Sequence, residues 1–191
     1  MKKIFFLLIS SILFFSCKEK TIKKELPSNS IFYLKSDWQN QNGQTIKLND
    51  LRGKTLVVVM IYTSCKTACP LLVADMKKIE QQIKPNNLNK VSLVLVSIDP
   101  KTDTPERLKE FAKTGKMDAA HWVFLRSTEA ATQEFANVLS MKYKKISPIE
   151  FSHSNIISVF NPDGELVSQE QGTSINVEKV AKEANEIAEG S

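Results

Sequence analysis

The sequence predicts an α/β domain with a mixed central sheet. Two β-branched runs, Thr55 to Tyr62 and Val91 to Ile98, are continuously apolar, as strands covered on both faces require. Each is followed by a segment whose apolar residues recur at helical spacing. Two turn signals, Asn42-Gly43 and Asn161-Pro162-Asp163-Gly164, add antiparallel strands towards either end of the chain. The composition, 42% hydrophobic and 25% charged over 191 residues with six Gly and seven Pro, excludes collagen-like, low-complexity and disordered chains and predicts one domain. The net charge of +5 is not accompanied by a zinc-finger, RRM or arginine-rich signature. With arginine only at positions 52, 107 and 126, nucleic acid is not an expected partner.

Residues 1–16 read as a lipoprotein signal peptide. Met1-Lys2-Lys3 is a basic start, and Ile4 to Phe15 is an apolar run of twelve residues broken only by Ser10 and Ser11. Such a run rises about 18 Å as a helix, too short for a hydrocarbon core of about 30 Å. Leu13-Phe14-Phe15-Ser16-Cys17 resembles a bacterial lipobox, which makes Cys17 the lipidated first residue of the mature chain. Phe14 and Phe15 are bulkier than common lipobox residues, and an ordinary signal peptide with an incidental Cys is the alternative. Residues 17–30 then form the lipidated Cys and a polar tether, and 31–191 the folded domain. Acyl chains at about 0.8 kcal/mol per buried CH₂ hold such a protein on a membrane. The expected location is the bacterial cell envelope, on the extracytoplasmic side. Loss of Lys2 and Lys3 lowers the net charge from +5 to +3.

Within the domain, Trp38 to Leu48 reads as a hairpin turned at Asn42-Gly43. Leu72, Met76, Ile79 and Ile83 line one face of a helix ended by Pro85. Thr104-Pro105-Glu106 opens a second helix that buries Leu108, Phe111 and Ala112. Trp122 to Leu125 is a short strand, and Thr128 caps a helix burying Ala131, Phe135, Val138 and Leu139. Ile156 to Phe160 and Glu165 to Ser168 pair across the Asn161–Gly164 turn. Asn176 caps a last helix with Val177, Val180, Ala181, Ala184 and Ile187 on one face.

With Cys17 assigned to lipid, the remaining cysteines form a pair, Cys65 and Cys69, at the junction of a buried strand and a helix. First-turn amides and the helix dipole favour a thiolate there, and Lys66 pushes the same way. Three intervening residues let the sulfurs converge on one ion or close into a disulfide. Two small buried hydrophobes is the competing reading. A structural zinc site needs a fourth protein ligand, and the mature chain has no further Cys.

Tyr62-Thr63-Ser64-Cys65-x₃-Cys69-Pro70, Val96-Ser97-Ile98-Asp99-Pro100-x₂-Asp103-Thr104-Pro105-Glu106, and His153-Ser154 ahead of Asn161–Gly164 together resemble the Sco/SenC family. Trp38 with Gly43, and Leu51-x-Gly53-Lys54, are similar to its N-terminal part. The resemblance runs from about Ile31 to the last helix. It implies a thioredoxin-like fold with a mixed central sheet, flanking helices and an N-terminal β-hairpin extension. It also implies a tethered copper-binding protein that helps assemble the binuclear copper centre of cytochrome c oxidase, with Cys65, Cys69 and His153 as copper ligands. Two thiolates and an imidazole suit Cu(I) and tolerate Cu(II). Lys66 and Ser152 stand where the family often has Pro and Asp, so an acid that could orient the imidazole is missing. Lys66 is expected to offset the charge of a bis-thiolate site.

Other candidates carry simpler readings. His121, ahead of Trp122, reads as a surface or packing histidine. Asp99, Asp103 and Glu106 could make a carboxylate metal site, but a turn at Asp99-Pro100 and a helix start account for them; Asp99, like Lys66, is a candidate neighbour of the ligands. Lys142-Tyr143-Lys144-Lys145 is either a solvated face or a dock for an acidic partner. The function is thus read as a metallochaperone acting on an oxidase subunit or another cuproprotein, with an upstream copper donor or thiol reductant. The rival is a thiol–disulfide oxidoreductase using Cys65 and Cys69 as its redox pair. That chemistry usually employs C-x-x-C and does not require His153. A peroxidase of similar fold lacks its Cys motif here.

Overall fold

The computed structural model describes residues 25–66, 68–148 and 150–191. The expected signal peptide, Cys17 and the first part of the expected tether (residues 18–24) lie outside the described residues. In chain order the elements are β1 (Asp37–Asn40), β2 (Thr45–Lys47), β3 (Thr55–Ile61), α1 (Ala68–Gln82), β4 (Val91–Ser97), α2 (Pro105–Thr114) and β5 (Trp122–Arg126). They continue with α3 (Glu129–Val138), β6 (Tyr143–Lys145), β7 (Phe151–His153), β8 (Ile156–Phe160), β9 (Leu166–Gln171) and α4 (Val177–Glu189).

Seven strands form one sheet in the order β2-β1-β5-β4-β3-β8-β9. The pairs β3–β4 and β4–β5 are parallel, while β1–β2, β1–β5, β3–β8 and β8–β9 are antiparallel, so the sheet is mixed as expected. Every residue of β3 and β4 is buried, which explains why neither strand alternates in polarity. Helix α4 packs on α1 and on β3, and α2 lies against β5. Asn185 on α4 fixes that packing from the inside. Its amide donates to the Gln82 and Ala181 carbonyls, and its Oδ1 accepts from the Lys84 N–H and the Asn87 side chain.

The expected caps are in place: Thr104, Thr128 and Asn176 accept backbone N–H groups three residues on. Three local expectations are corrected. The first hairpin is not closed by a two-residue Asn-Gly turn. Gly43 N–H donates to the Asn40 carbonyl and Asn40 N–H to that of Gln44, and only Gly43 (φ +74°) is left-handed, so the loop is Gln41 to Gly43 with a bulge. Val138 is 44% exposed rather than buried, because the core-facing side of α3 at this end carries Phe135, Ala136 and Leu139, and Val138 lies off that face. The third correction decides the site. The basic cluster at 142–145, read as a solvated face or a dock, supplies a strand: residues 143–145 pair with 151–153 in a second antiparallel ribbon, with Tyr143 opposite His153 and Lys145 opposite Phe151.

The Asn161–Gly164 turn also anchors the start of the domain. Ile31 N–H donates to the Gly164 carbonyl, Ser30 Oγ to that of Asp163, and Arg52 pairs with the Asp163 carboxylate at 3.0 Å. Gly164 is left-handed (φ +81°), and a Cβ there would lie 2.6 Å from Ser30 Oγ and 2.7 Å from the Phe32 ring. Gly164→Ala combines left-handed strain with that clash, and urea unfolding should show a loss of about 2 kcal/mol or more.

Candidate metal centre

Three elements meet at the C-terminal end of β3. The strand runs out through Tyr62 into a turn that carries Cys65, α1 begins at Ala68 with Cys69 in its first turn, and β7 delivers His153. The ligand atoms of Cys65, Cys69 and His153 all lie within 4.8 Å of one another, and Cys69 Sγ is 3.4 Å from His153 Nε2. Both cysteines are thiols rather than halves of a disulfide. Bond lengths of about 2.0–2.3 Å, as imidazole and thiolate make to zinc, place three planar donors about 3.5–4.0 Å apart. The cluster therefore needs only small side-chain movements to surround one ion.

The imidazole is oriented without the missing acid. His153 Nδ1 lies 3.2 Å from the Ser154 carbonyl oxygen. A carbonyl can only accept, so Nδ1 carries the proton and Nε2 presents its lone pair to Cys69. Ser154 is held in turn by its N–H donating to the carbonyl of Lys142, the residue just before β6. A backbone oxygen fixed by the ribbon thus does what a carboxylate at position 152 could have done.

The two sulfurs differ. Cys69 is 2% exposed, and burial pushes its thiol well above the usual cysteine range, with smaller contributions from the neighbouring Cys65 and Asp103. The expectation that the helix start makes both thiols acidic fails for Cys69, where desolvation outweighs the dipole. Its S–H faces the Nε2 lone pair. Cys65 is half-buried, and its sulfur accepts the Cys69 N–H at 3.4 Å, closing the first turn of α1.

The match to known families follows the same residues. The sequence profile of the SCO1/SenC family covers residues 31–189. The chain belongs to this family. The SCO1 protein homolog of Bacillus subtilis is 28% identical over 138 residues, spanning 71% of each chain. The crystal structure of a SCO1/SenC family lipoprotein from Bacillus anthracis, 26% identical, matches 80% of this chain and 92% of its own with a TM-score of 0.72. Bradyrhizobium japonicum ScoI, solved with copper bound, matches 80% and 96% at 21% identity and a TM-score of 0.68, which bears on the fold. The architecture is the thioredoxin-like fold of the SCO1/SenC proteins, carrying an N-terminal hairpin.

Within this SCO1/SenC domain the remaining candidates separate. Lys66 is exposed between the two cysteines in sequence. Asp99 is buried; its N–H donates to Ser97 Oγ, and its charge raises the Asp103 carboxyl. His121 is a packing histidine, its Nε2 2.5 Å from Glu80, which also accepts the Trp122 indole N–H. Glu106 lies in the first turn of α2.

Sequence reasoning missed the supports of the site. Tyr62 joins its two halves: the hydroxyl bonds the Cys65 side chain, accepts the Phe151 N–H at 3.3 Å, and its ring stands edge-on to His153. Beneath the cysteine turn, the Asp103 side chain is fully buried. Its carboxylate accepts the Thr63 N–H at 3.1 Å, the Thr63 hydroxyl at 2.5 Å and the Ser97 hydroxyl at 2.6 Å. Arg107 Nε donates to Thr63 Oγ1 from the outer side. The signal available in the sequence was the cluster of hydroxyls and acids at the two strand ends, read there as turn and cap residues.

Two outcomes follow for Asp103. Asp103→Ala leaves the Thr63 and Ser97 donors unpaired and should cost about 3 kcal/mol or more in urea unfolding. Burial also raises the Asp103 carboxyl above its ordinary range, against the hydrogen bonds from Ser97 and Thr63. The folded chain then holds a proton that the unfolded chain has released. Its contribution to stability is greatest below about pH 4 and falls as pH rises through the folded pKa, by up to about 1.4 kcal/mol per unit. The stability difference between wild type and Asp103→Asn should follow that curve.

Proposed function

We propose that this chain is a membrane-tethered copper carrier. In this reading one copper ion is held by Cys65 Sγ, Cys69 Sγ and His153 Nε2 and passed on to mature the binuclear copper centre of cytochrome c oxidase or another cuproprotein. The observation that carries it is the convergence of two sulfurs and one correctly oriented imidazole nitrogen within 4.8 Å. The soft donor set favours Cu(I) and can also accept Cu(II). The copper-bound Bradyrhizobium japonicum ScoI, of the same fold, supports the choice of metal.

Tethering is supported by the lipobox-like Cys17 and by the Bacillus anthracis relative, itself a lipoprotein. Among the described residues no helix is long and apolar enough to cross a membrane. A lipid anchor on Cys17 would hold the domain at the extracytoplasmic membrane surface of a bacterial envelope, within reach of an integral oxidase.

One observation favours thiol–disulfide exchange as a second reading. Cys65 is the more exposed thiol, and its sulfur receives the Cys69 N–H in the first turn of α1, so an accessible nucleophile is present. The buried, proton-holding Cys69 weakens that reading as a resting redox pair.

Titration of the reduced protein with Cu(I) against a competing chelator distinguishes the two. One copper per chain, lost in Cys65→Ser/Cys69→Ser and held at least about tenfold more weakly in His153→Ala, is the expected result. Loose copper indifferent to His153 would sink the carrier reading and leave the dithiol potential as the quantity to explain. The same titration has a predicted pH dependence. Because Cys69 is protonated at neutral pH, copper must displace that proton, and apparent affinity should rise about tenfold per pH unit for each proton released.

A further inference from the structure

We infer that the β6–β7 ribbon, with Lys66, is the surface on which an acidic polypeptide docks to exchange copper with the Cys65–Cys69–His153 centre. The inference rests on the copper reading above and deepens it by assigning the partner's chemistry. The basic run is not a detached solvated face. It is the strand paired to the one that carries His153, with Tyr143 opposite His153 and Lys145 opposite Phe151. Residues two apart on a strand share a face, so Lys145 lies on the His153 side of the ribbon. Its Nζ sits 5.3 Å above the Phe151 ring, which is 5.1 Å from the Tyr62 ring, and the Tyr62 hydroxyl bonds Cys65. A fixed cation thus stands two rings away from a ligand sulfur.

Lys142, Lys144, Lys145 and Lys66 are all exposed, and none forms an ion pair with a described residue. Elsewhere Lys47, Lys84 and Lys179 each hold a carboxylate within 2.7 Å. Glu150, exposed at the ribbon's turn, offsets only part of this charge. Leu71, two residues after Cys69, and Ile146, next to Lys145 in the chain, are 63% and 60% exposed, so apolar side chains are accessible in the same two segments as the lysines. That combination fits a protein partner with a carboxylate-rich surface.

The transfer chemistry requires contact there. Copper stays Cu(I): its bonds to Cys65, Cys69 and His153 break as bonds to two acceptor sulfurs form, and the protons leaving the acceptor thiols return to Cys65 and Cys69. An acceptor sulfur must come within about 2.3 Å of the ion, so its protein must cover the ligand rim. A Cu(I) ion with two thiolates and a neutral imidazole carries a net negative charge, as does an ionising acceptor dithiol. The lysines counter that repulsion and steer an acidic partner. Anionic lipid on the same face would seal the centre from an acceptor.

The test loads the full chain with Cu(I) and mixes it with two dithiol peptides, identical except that glutamates flank the cysteines in one and glutamines in the other. At about 0.02 M salt the glutamate peptide should take copper about tenfold faster, and the difference should vanish at about 0.5 M. Lys142→Gln/Lys144→Gln/Lys145→Gln should abolish the preference, and the matching triple Arg variant should retain it. Equal rates for the two peptides, or a preference that survives the triple Gln variant, overturns the inference. So does a preference that phosphatidylglycerol vesicles abolish, which would assign the lysines to lipid. A chain that takes up no Cu(I) fails the earlier copper reading before any mixing; one that loads but ignores peptide charge fails only this inference.

Discussion

The site depends on bringing an imidazole nitrogen to two sulfurs from a position 84 residues away in sequence. Neither half does this alone. The cysteine turn is set from below, where the buried Asp103 receives hydrogen bonds from Thr63 and Ser97 at the ends of adjacent parallel strands. The histidine is set from above by a short ribbon that leans on Tyr62 through Phe151. Tyr62, the first residue after β3, touches both parts. Its position at the end of a fully buried strand makes that contact rigid: the strand cannot slide without exposing its apolar side chains on both faces.

Polar groups in such a place are destabilising unless paired, which accounts for their density here. Asp103 has no exposed side-chain surface and three hydrogen-bond donors within 3.1 Å. Each donor fixes a backbone segment that leads to a cysteine or to α2. The carboxylate thus works as a knot tying three elements together, at the desolvation cost seen in its raised pKa. The thiols lie on the next layer out, with Cys69 turned inward and Cys65 nearer solvent.

Much of this architecture was legible from residues alone. The continuous apolar runs, the helical spacing of Leu72, Met76 and Ile79, and the caps at Thr104 and Thr128 all encode local choices that the fold keeps. The cysteine pair announced itself by its place at a strand–helix junction, and the motif blocks pointed to His153. The β6–β7 ribbon was not legible, because three-residue strands with lysines on them show no period and owe their pairing to the surface they rest on. Nor was the role of Asp103: an acid just before a capping Thr reads as a helix start, and only the tertiary position of Thr63 reveals its partner. The Asn42-Gly43 signal marked a real hairpin but the wrong turn, since Asn40 closes the loop with its own amide and side chain.

A carrier must hold its ion firmly and still release it, and the asymmetry of the two thiols meets both needs in the proposed function. Cys69 and His153 form the inner pair, already in contact and shielded by the ribbon and α1. Cys65 forms the outer edge, where an incoming sulfur can share the ion without the inner ligands moving. Three protein donors leave a coordination position open, so exchange can add the acceptor's first bond before breaking one of the carrier's. The Cys65–Tyr62 bond then gives the displaced sulfur a ready partner, and the high proton affinity of Cys69 draws a proton back as copper leaves. If the chain carries copper as proposed, return of that proton would favour release to an acceptor whose thiols ionise more readily, with no change in oxidation state.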